Sequence, residues 1–310
     1  MKILVTPTSL NASSKLPAME RLRAGAEEIV YNTTGGPLAP DQLIPLLADV
    51  DGVVAGLDHY TAEVIAAAGP RLKVISRYGV GADRVDRAAA EARGIVVSVT
   101  PGANSVAVAE LALGLMFGLA RGLPALDRAV RAGGWPRRTG MELTGKTLGL
   151  VGAGAIGREV ARRATGLGLS VIGVDPGLDE AAMRAAGILP LPLGEVLARA
   201  DIVSLHVPLV EATRHLIDAA ALATMKPGAL LVNTSRGGLI DEAAALDALT
   251  SGQLGGLALD AYEVEPPTGS PLFALDNVIA TPHTGAHTDE AVATMAAMAV
   301  DNLFASLTRT

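Results

Sequence analysis

One stretch decides the fold of this chain: residues 148–176 read LGLVGAGAIGREVARRATGLGLSVIGVDP. The apolar run 147–151 is typical of a buried parallel strand, and it turns directly into a glycine-rich segment. A helix is predicted over 158–167, because this segment lacks proline and a glycine follows it, and a second buried strand is predicted over 170–174. The stretch therefore predicts one complete strand-helix-strand unit.

The three glycines of GAGAIG, residues 152–157, have separate predicted roles. Gly152 permits a tight turn, Gly154 lets the backbone approach a pyrophosphate, and Gly157 lets the helix pack against the strands. The helix N-terminus then offers N–H groups and the positive end of its dipole to the phosphates. Asp175 ends the second strand, where its carboxylate can accept ribose hydroxyls and would repel a 2′-phosphate. The motif predicts a dinucleotide site that prefers NAD to NADP.

The composition excludes several other classes of function. The 310 residues suffice for two domains, and a chain that is 50% hydrophobic and 18% charged is predicted to be globular. A net charge of −7 argues against a nucleic-acid partner or an anionic membrane partner. The chain has no cysteine, which excludes disulfides and thiolate catalysis, and no metal site is predicted. A strand-like run begins at Ile3, so no signal peptide is expected and the predicted location is the cytoplasm.

Apolar runs and helix-like segments alternate along the chain, which predicts parallel sheets covered on both faces. The first region has predicted strands over 3–5, 52–54, 73–75 and 95–97, and helices over 17–24, 41–48 and 61–67. The later region has predicted strands over 202–207, 229–233, 256–259 and 278–280, and helices over 193–200, 242–250 and 289–307. Between them, 105–121 is predicted to be a buried helix, because it is too short for a membrane span and contains Glu110.

Three polar side chains follow three predicted strands of the later region: Arg236, Glu265 and His283. Ligands of an open parallel sheet bind beyond the carboxyl ends of its strands, so these side chains are expected to meet where the nicotinamide would lie. Hydride transfer needs a proton donor, and the imidazole of His283 suits that role near neutrality. Glu265 can orient the ring and favour its protonated form. The guanidinium of Arg236 can polarise a carbonyl and bind a carboxylate.

Other interpretations of these residues stay open. Taken singly, His283 also fits a turn cap, Glu265 a solvated loop acid and Arg236 a surface ion pair. His287 is a rival base, although it lies farther from the strand end. The combination of three such residues after three strands favours the catalytic interpretation.

Two further segments have a functional and an ordinary interpretation. In the segment 76–83, Gly79 and Gly81 follow a predicted strand and form either an anion-binding concavity or a simple glycine turn. The segment 121–138 contains several arginines and the only tryptophan, Trp135. It is either a solvated surface or a segment that reaches an anionic substrate, directly or across a dimer interface.

Taken together, these motifs resemble the D-isomer-specific 2-hydroxyacid dehydrogenase family. The resemblance is carried by SRYGVGADRVD (76–86), VAELALGLMFGLAR (108–121), GAGAIG (152–157), HVPLVEATRHLID (206–218), MKPGALLVNTSRGGLIDE (225–242), ALDAYEVEPP (258–267) and TPHTGAHT (281–288). It implies an α/β fold of two Rossmann-like doubly wound parallel-sheet domains separated by a cleft. Residues 1–99 plus 286–310 would form the substrate-binding domain and 100–285 the NAD-binding domain, usually as a homodimer.

The resemblance also implies roles for individual residues. His283 would give and take the proton, Glu265 would be its partner, and Arg236 would polarise the substrate. Implied cofactor contacts are Ala155 and Ile156 at the pyrophosphate, Asp175 and Val207 at the adenosine, Thr213 on the cofactor side, and Thr234, Ser235 and Asp260 at the nicotinamide. The implied substrate loop consists of Arg77, Tyr78, Val80 and Gly81, with the N–H groups of the last two on the substrate carboxylate.

The implied activity is NAD-dependent oxidation of a D-2-hydroxyacid, so the expected partner is a small 2-hydroxy or 2-oxo acid. Within the family, the likeness is to short enzymes that oxidise 3-phospho-D-glycerate to 3-phosphohydroxypyruvate for serine synthesis. Arg77, Arg137 and Arg138 are the candidates for binding the phosphate, the last two either within one chain or from a partner subunit. Arg84 and Val80 depart from the family pattern. Glyoxylate or hydroxypyruvate reduction is the alternative within the family, and an NAD(H)-sensing corepressor-like protein is the alternative outside it.

Overall fold

The computed structural model describes residues 1–308 of the chain. Over that range the chain divides into two compact units. The first consists of Met1–Asn104 together with the segment that begins at His287, and the second consists of Ser105–Ala286. Each unit contains a parallel β-sheet with helices, which confirms the predicted fold class of two doubly wound α/β domains. The roles predicted for the two units stay predictions.

The first unit is built on a five-stranded sheet. Its strands are β1 (Lys2–Val5), β2 (Glu28–Tyr31), β3 (Gly52–Ala55), β4 (Val74–Arg77) and β5 (Val96–Ser98). Its helices are Pro17–Gly25, Pro40–Leu46, Ala62–Ala67, Arg87–Ala92 and Asp289–Leu307. The strand order is β2-β1-β3-β4-β5 with parallel pairing throughout, so the order reverses between β1 and β3. In such sheets a ligand binds beyond the carboxyl ends of the strands.

The second unit is built on a seven-stranded parallel sheet. Its strands are β6 (Thr147–Val151), β7 (Ser170–Val174), β8 (Leu189–Pro190), β9 (Ile202–Leu205), β10 (Ala229–Asn233), β11 (Leu254–Leu259) and β12 (Val278–Ala280). Its α-helices are Ser105–Arg121, Leu123–Arg131, Ala155–Gly166, Glu180–Ala185, Leu193–Arg199, Ala219–Thr224 and Glu242–Ser251, with 3-10 turns at Glu211–Thr213, Gly237–Leu239 and Pro271–Ala274. The strand order β12-β11-β10-β9-β6-β7-β8 is that of a dinucleotide-binding sheet, and it reverses between β6 and β9.

The C-terminal helix Asp289–Leu307 belongs to the first unit and covers β3 and β4. Ala299 and Leu303 are fully buried, and their spacing of four places them on one face of the helix. Ser76 Oγ, on β4, donates a hydrogen bond of 2.8 Å to the carbonyl oxygen of Ala299. The last segment of the chain therefore completes the core of the unit that begins at the N-terminus.

The helix Ser105–Arg121 is buried in the second unit, as its composition predicts. Ala109, Ala112 and Met116 have no exposed surface, and the helix packs against Ala155–Gly166. Among residues 1–308 no single helix meets the length and hydropathy expected of a membrane span. The bent pair formed by Ser105–Arg121 and Leu123–Arg131 meets them jointly, by length and composition only.

The structure contains short elements that the sequence pattern does not predict. They are the strands β2 and β8 and the helices Arg87–Ala92, Leu123–Arg131, Glu180–Ala185 and Ala219–Thr224. Both strands lie at sheet edges, where one side lacks a neighbouring strand and little of the strand is buried. The helices have six to nine residues, too few turns for a recognisable apolar period. The other predicted strands and helices are present within a few residues of their predicted bounds.

Two predicted bounds next to the glycine motif are wrong. The helix begins at Ala155 and not at Arg158, because Gly154 is the extended N-cap and its carbonyl accepts the first helical bond from Arg158 N–H at 3.0 Å. The strand β9 ends at Leu205 and not at Val207. Its hydrogen bonding to β6 ends with the bond from His206 N–H to Val151 O, at 2.7 Å.

Candidate active site

In the glycine turn after β6, two glycines are packed against protein backbone and the third faces open space. Gly152 has a φ of +101°, and a Cβ there would lie 2.5 Å from the carbonyl oxygen of His206. A Cβ on Gly157 would lie 2.2 Å from the carbonyl oxygen of Gly152. A Cβ on Gly154 would meet no atom of the described residues within 4 Å. Gly154 therefore faces open space of the kind that a phosphate-binding glycine requires.

The helix Ala155–Gly166 begins beside this open space. Its N-cap, Gly154, has no side chain to bond the first N–H groups of the helix. The N–H groups of Ala155 and Ile156 lie in the first turn, where an α-helix provides no internal acceptor. Together with the helix dipole they suit a negatively charged group. The residues present thus fit the pyrophosphate of a dinucleotide.

Asp175 follows β7 and its carboxylate is held by two backbone groups. Oδ2 accepts a hydrogen bond of 2.8 Å from Ala153 N–H, and Oδ1 accepts one of 2.8 Å from Gly177 N–H. These bonds fix the carboxylate at the carboxyl end of the strand, next to the glycine turn. A carboxylate oxygen has further lone pairs, so Asp175 keeps acceptor capacity for a ribose.

Two other predicted cofactor residues follow β9. Val207 lies against the glycine turn, because a Cβ on Gly152 would come within 3.0 Å of Val207 Cγ1. The hydroxyl of Thr213 donates to Pro208 O at 2.7 Å and accepts from Val210 N–H at 2.9 Å. Thr213 therefore closes the loop after β9, and its contact with a cofactor stays a prediction.

His206 lies between β9 and this loop, and its ring is neutral at physiological pH. Burial lowers its pKa to about 4. Nε2 lies 2.9 Å from Ser204 Oγ, whereas Nδ1 is buried and has no hydrogen-bond partner among residues 1–308. The His206 ring is thus an uncharged side chain next to the glycine turn.

The turn after β10 presents Arg236, and Asn233 shapes it. The side chain of Asn233 is fully buried. Its Nδ2 donates to the carbonyl oxygen of Arg236 at 2.7 Å, and its Oδ1 accepts from Ser235 N–H at 3.0 Å. An asparagine side chain that bonds nearby backbone in this way stabilises a tight turn. Arg236 is consequently placed at the carboxyl end of the sheet, where its Nη1 also donates to Ser235 O at 2.8 Å.

Thr234 and Ser235 belong to the same turn. Ser235 Oγ donates to Leu205 O at 2.8 Å, which ties the turn to β9. Thr234 is 9% exposed, and its Oγ1 is buried without a partner among residues 1–308. An unpaired buried hydroxyl is costly, so it marks a place where a ligand can supply the missing partner.

Glu265 and His283 form a hydrogen-bonded pair, as the sequence predicts. His283 Nδ1 lies 2.8 Å from Glu265 Oε1, and the side chains are 26% and 19% exposed. The geometry assigns a proton to Nδ1, because the ionised carboxylate only accepts. Nε2 is then the nitrogen that can exchange a proton with a substrate. His283 has a φ of +51°, a left-handed conformation that is uncommon outside glycine.

Asp260 follows β11 and holds the loop that carries His283. Its carboxylate accepts from Thr281 Oγ1 at 2.7 Å, from Thr284 N–H at 2.8 Å and from Gly285 N–H at 2.8 Å. The residue is only 2% exposed. Asp260 therefore clamps the histidine loop, and its predicted place beside the nicotinamide stays a prediction.

In the first unit, the buried side chain of Arg77 bonds the predicted substrate loop to the neighbouring strand. It is 3% exposed; its Nη1 donates to Ala55 O at 2.7 Å and its Nε to Gly81 O at 3.1 Å. The N–H of Tyr78 also donates to Ala55 O, at 2.9 Å. Arg77 is thus a buried brace between β3 and the loop.

The loop itself offers backbone donors. Gly79 has a φ of +147°, and its N–H donates to Thr100 Oγ1 at 3.1 Å. Val80 is 40% exposed. No hydrogen bond from the N–H groups of Val80 and Gly81 is present within residues 1–308. Two adjacent N–H groups of this kind suit a carboxylate.

Three predicted candidates remain: Arg137, Arg138 and His287. Arg137 and Arg138 are exposed, and the guanidinium of Arg138 lies over Gly122, where a Cβ would approach Nη1 to 2.6 Å. His287, the rival base, belongs to the first unit, whereas His283 belongs to the second. The hydrogen bond to Glu265 is made by His283.

Sequence reasoning missed two residues that shape this site, Asn233 and Tyr262. Asn233 ends a strand immediately before Thr234, and an asparagine at a strand end is a recognisable turn signal. Tyr262 lies between Asp260 and Glu265, and its single aromatic ring gives no signal that distinguishes it from an ordinary core residue.

Comparison with known proteins identifies the family. Residues 113–285 match the family model described as D-isomer specific 2-hydroxyacid dehydrogenase, NAD binding domain. The chain is 42% identical to a D-3-phosphoglycerate dehydrogenase of Methanocaldococcus jannaschii over 86% of this chain and 51% of that protein. It is 42% identical to a hydroxypyruvate reductase of Thermotoga maritima over 88% of this chain and 90% of that protein. The chain thus spans about half the length of the first relative and nearly all of the second.

A solved structure has the same fold over the whole chain. The TT0316 protein of Thermus thermophilus superposes with a TM-score of 0.89 at 37% identity, covering 100% of this chain and 97% of that one. The match to the NAD-binding family model identifies the cofactor as NAD.

We expect Gly154→Ala to leave the fold intact and to weaken dinucleotide binding. The φ and ψ of Gly154, −63° and −160°, are accessible to alanine, and the methyl group would enter open space. The unfolding free energy should change by no more than about 0.5 kcal/mol, whereas the Kd for NADH should rise about tenfold or more. Fluorescence titration and thermal unfolding measure the two effects. Gly157→Ala is the matched control, which should destabilise the protein because its methyl group would meet Gly152 O.

His206 predicts an acid-sensitive component of stability. Its folded pKa, about 4, lies below the ordinary value of 6.5, so the unfolded state binds the extra proton between these pH values. The contribution is therefore complete above pH 6.5 and is lost as the pH falls towards 4, by roughly 2–3 kcal/mol. Urea unfolding at several pH values should give a shallower acid slope for His206→Gln than for the wild type. Equal slopes would show that the ring titrates normally.

Proposed function

This chain is a member of the D-isomer specific 2-hydroxyacid dehydrogenase family, and from that premise we propose that it interconverts a D-2-hydroxyacid and its 2-oxoacid with NAD(H). The observation that carries the proposal is the His283–Glu265 hydrogen bond of 2.8 Å at the carboxyl edge of the dinucleotide-type sheet. A protein that only senses the dinucleotide needs the glycine turn and Asp175, but it does not need this pair. The pair therefore supports an enzyme over a corepressor-like sensor.

The proposed chemistry assigns one task to each side chain. In reduction, protonated His283 gives the proton on Nε2 to the oxygen of the 2-oxo group, and Glu265 stabilises the protonated ring through Nδ1. Arg236 polarises the same carbonyl and stabilises the negative charge that develops on its oxygen. NADH, when bound, would supply the hydride for the carbonyl carbon. Oxidation reverses these steps, with neutral His283 taking the hydroxyl proton.

We propose that the substrate carboxylate binds the N–H groups of Val80 and Gly81. Support comes from the absence of a hydrogen bond from these groups within residues 1–308 and from the brace that Arg77 provides beneath them. Backbone donors recognise the carboxylate that every 2-oxoacid shares. They leave the rest of the substrate to be selected by other side chains.

Two kinds of substrate fall within this proposal. The first is 3-phospho-D-glycerate, as the sequence predicts, with exposed Arg137 and Arg138 available for its phosphate. A specific observation favours the second, hydroxypyruvate or glyoxylate. Arg77 is buried, and Arg84 Nη1 donates to Leu57 O at 2.8 Å, so both arginines near the loop of the first unit are engaged by the protein itself.

The proposed assembly is a homodimer formed by the second unit. Large apolar side chains are exposed along one segment of its sequence: Val106, Phe117, Leu123, Val130 and Trp135. The helix Leu123–Arg131 has no buried residue within the chain, which supports burial against a second copy. The predicted cytoplasmic location and the predicted lack of nucleic-acid and membrane partners stay predictions.

His283→Ala is expected to lower kcat for 2-oxoacid reduction about a hundredfold or more, because no other group would deliver the proton. The Kd for NADH should stay within about twofold of the wild type, because the imidazole is not predicted to hold the cofactor. NADH absorbance with glyoxylate, hydroxypyruvate and 3-phosphohydroxypyruvate measures the rates. His287→Ala is the control and should retain wild-type kcat. Binding of NADH without turnover of any 2-oxoacid would instead favour the sensor.

Light scattering after size exclusion should give twice the mass of one chain. Leu123→Glu combined with Val130→Glu should yield monomers, because both side chains are half exposed and a charge there opposes burial against a second copy. Val96→Glu, at an exposed position of the first unit, is the control and should remain dimeric. A wild-type chain that elutes as a monomer contradicts the proposed assembly.

A further inference from the structure

Tyr262 lies in the turn after β11, between Asp260 and Glu265, and its ring is buried. The residue is 7% exposed, and its ring meets Phe273 edge to face with centroids 6.0 Å apart and planes at 87°. Such an arrangement is favourable for aromatic pairs and holds the ring in one orientation. The ring therefore places its hydroxyl at a defined point beneath the loops of the candidate site.

The hydroxyl of Tyr262 bonds the loop that carries His283. It lies 2.8 Å from the carbonyl oxygen of Thr281 and 3.1 Å from that of Leu259, so the single proton favours Thr281. Burial raises the pKa of Tyr262 to about 12, so the hydroxyl stays a donor at physiological pH. The bond links the end of β11 to the end of β12.

The same carbonyl oxygen receives the N–H of His283. The bond from His283 N–H to Thr281 O is 3.0 Å long and spans only Pro282. This bond orients the peptide group between Pro282 and His283, and His283 follows it with its φ of +51°. Tyr262 therefore holds the acceptor that orients the peptide group from which His283 and its imidazole extend.

The backbone of Tyr262 contacts the other two catalytic turns. Its N–H points to Glu265 Oε1 at 3.4 Å, the oxygen that accepts from His283. Its carbonyl carbon packs against Gly237, where a Cβ would lie only 1.8 Å away. Gly237 directly follows Arg236, so Tyr262 touches the turns of all three proposed catalytic side chains.

We propose that Tyr262 is a positioning residue that holds His283, Glu265 and Arg236 in a common geometry. The inference rests on the proposed function for its catalytic consequence, but the contacts themselves belong to the folded chain. Hydroxyl, N–H and carbonyl carbon each contact a different turn. Loss of the hydroxyl should therefore reorient the imidazole while leaving the cofactor residues in place.

Tyr262→Phe removes the hydroxyl and keeps the ring on Phe273. We expect kcat for 2-oxoacid reduction to fall about tenfold or more, with the Kd for NADH and the KM of the 2-oxoacid within about twofold. Phe273→Leu is the matched control, since it removes the ring contact and keeps the hydroxyl bonds. It should lower the melting temperature and leave kcat near the wild-type value. An equal loss of kcat in Tyr262→Phe and Phe273→Leu would show that Tyr262 acts only through packing, and would overturn the proposal.

Gly237→Ala tests the backbone contact from the other side. Its methyl group would overlap the carbonyl carbon of Tyr262, so kcat should fall about a hundredfold. Gly238→Ala is the neighbouring control: its methyl group would meet the flexible side chain of Leu209 at 3.1 Å, and kcat should stay near the wild-type value. Wild-type kcat in Gly237→Ala would show that the contact does not position the site.

A readout without turnover separates this proposal from the proposed function. Selective ¹⁵N labelling of histidine, with His283→Gln for assignment, reports the tautomer of His283 in the folded protein. We expect Nδ1 protonation in the wild type and in Phe273→Leu, and an altered His283 signal in Tyr262→Phe. If no 2-oxoacid is turned over but this signal changes, the proposed function fails and the positioning role stands. An unchanged signal in Tyr262→Phe contradicts the positioning role.

Discussion

The hydrogen bond between His283 Nδ1 and Glu265 Oε1 is the interaction on which the rest of the candidate site depends. It assigns a proton to Nδ1 and leaves Nε2 to face a substrate. It forms only because β11 and β12 are neighbours in a parallel sheet, so that the turns at their carboxyl ends meet. The backbone of His283, which presents the ring to Glu265, lies in the left-handed region. The proposed proton transfer thus depends on the sheet order and on a loop with one unusual φ angle.

The strained residue is stable because its loop is bonded on both sides. A left-handed conformation outside glycine costs roughly 1–2 kcal/mol. An intramolecular hydrogen bond contributes roughly 0.5–1.5 kcal/mol, and Asp260 accepts two from the loop, from Thr284 N–H and Gly285 N–H at 2.8 Å. The hydroxyl of Tyr262 adds a bond on the other side of the loop. These bonds offset the strain, so the loop can present His283 in one orientation before a substrate arrives.

The sequence predicts the parts of this architecture that follow from hydrophobic periodicity, from the glycine motif or from strand direction. Parallel strands, the glycine turn at Gly152 and the residues just after each strand could all be placed, because pattern and strand direction determine them. The short helices and edge strands could not, since they bury too little to leave a pattern. The role of Tyr262 could not be predicted either, because its contacts join turns that are distant in sequence. Arg77 shows the opposite difficulty, because its charge suggests a ligand site whereas its burial makes it a brace.

Backbone groups, and not cations, provide the two candidate anion sites of this acidic chain. The helix start at Ala155 and the N–H groups of Val80 and Gly81 both follow a parallel strand through glycine, and both concentrate positive potential without a charged side chain. Two arginines bond backbone carbonyl groups of the protein itself: Arg77 bonds Ala55 O, and Arg93 Nη1 bonds Ala68 O at the end of a helix. A net charge of −7 is therefore compatible with anionic ligands, because the field that matters is local. Backbone N–H groups thus serve the two candidate anion sites, and Arg236 is the cation that the proposed mechanism assigns to the reacting carbonyl.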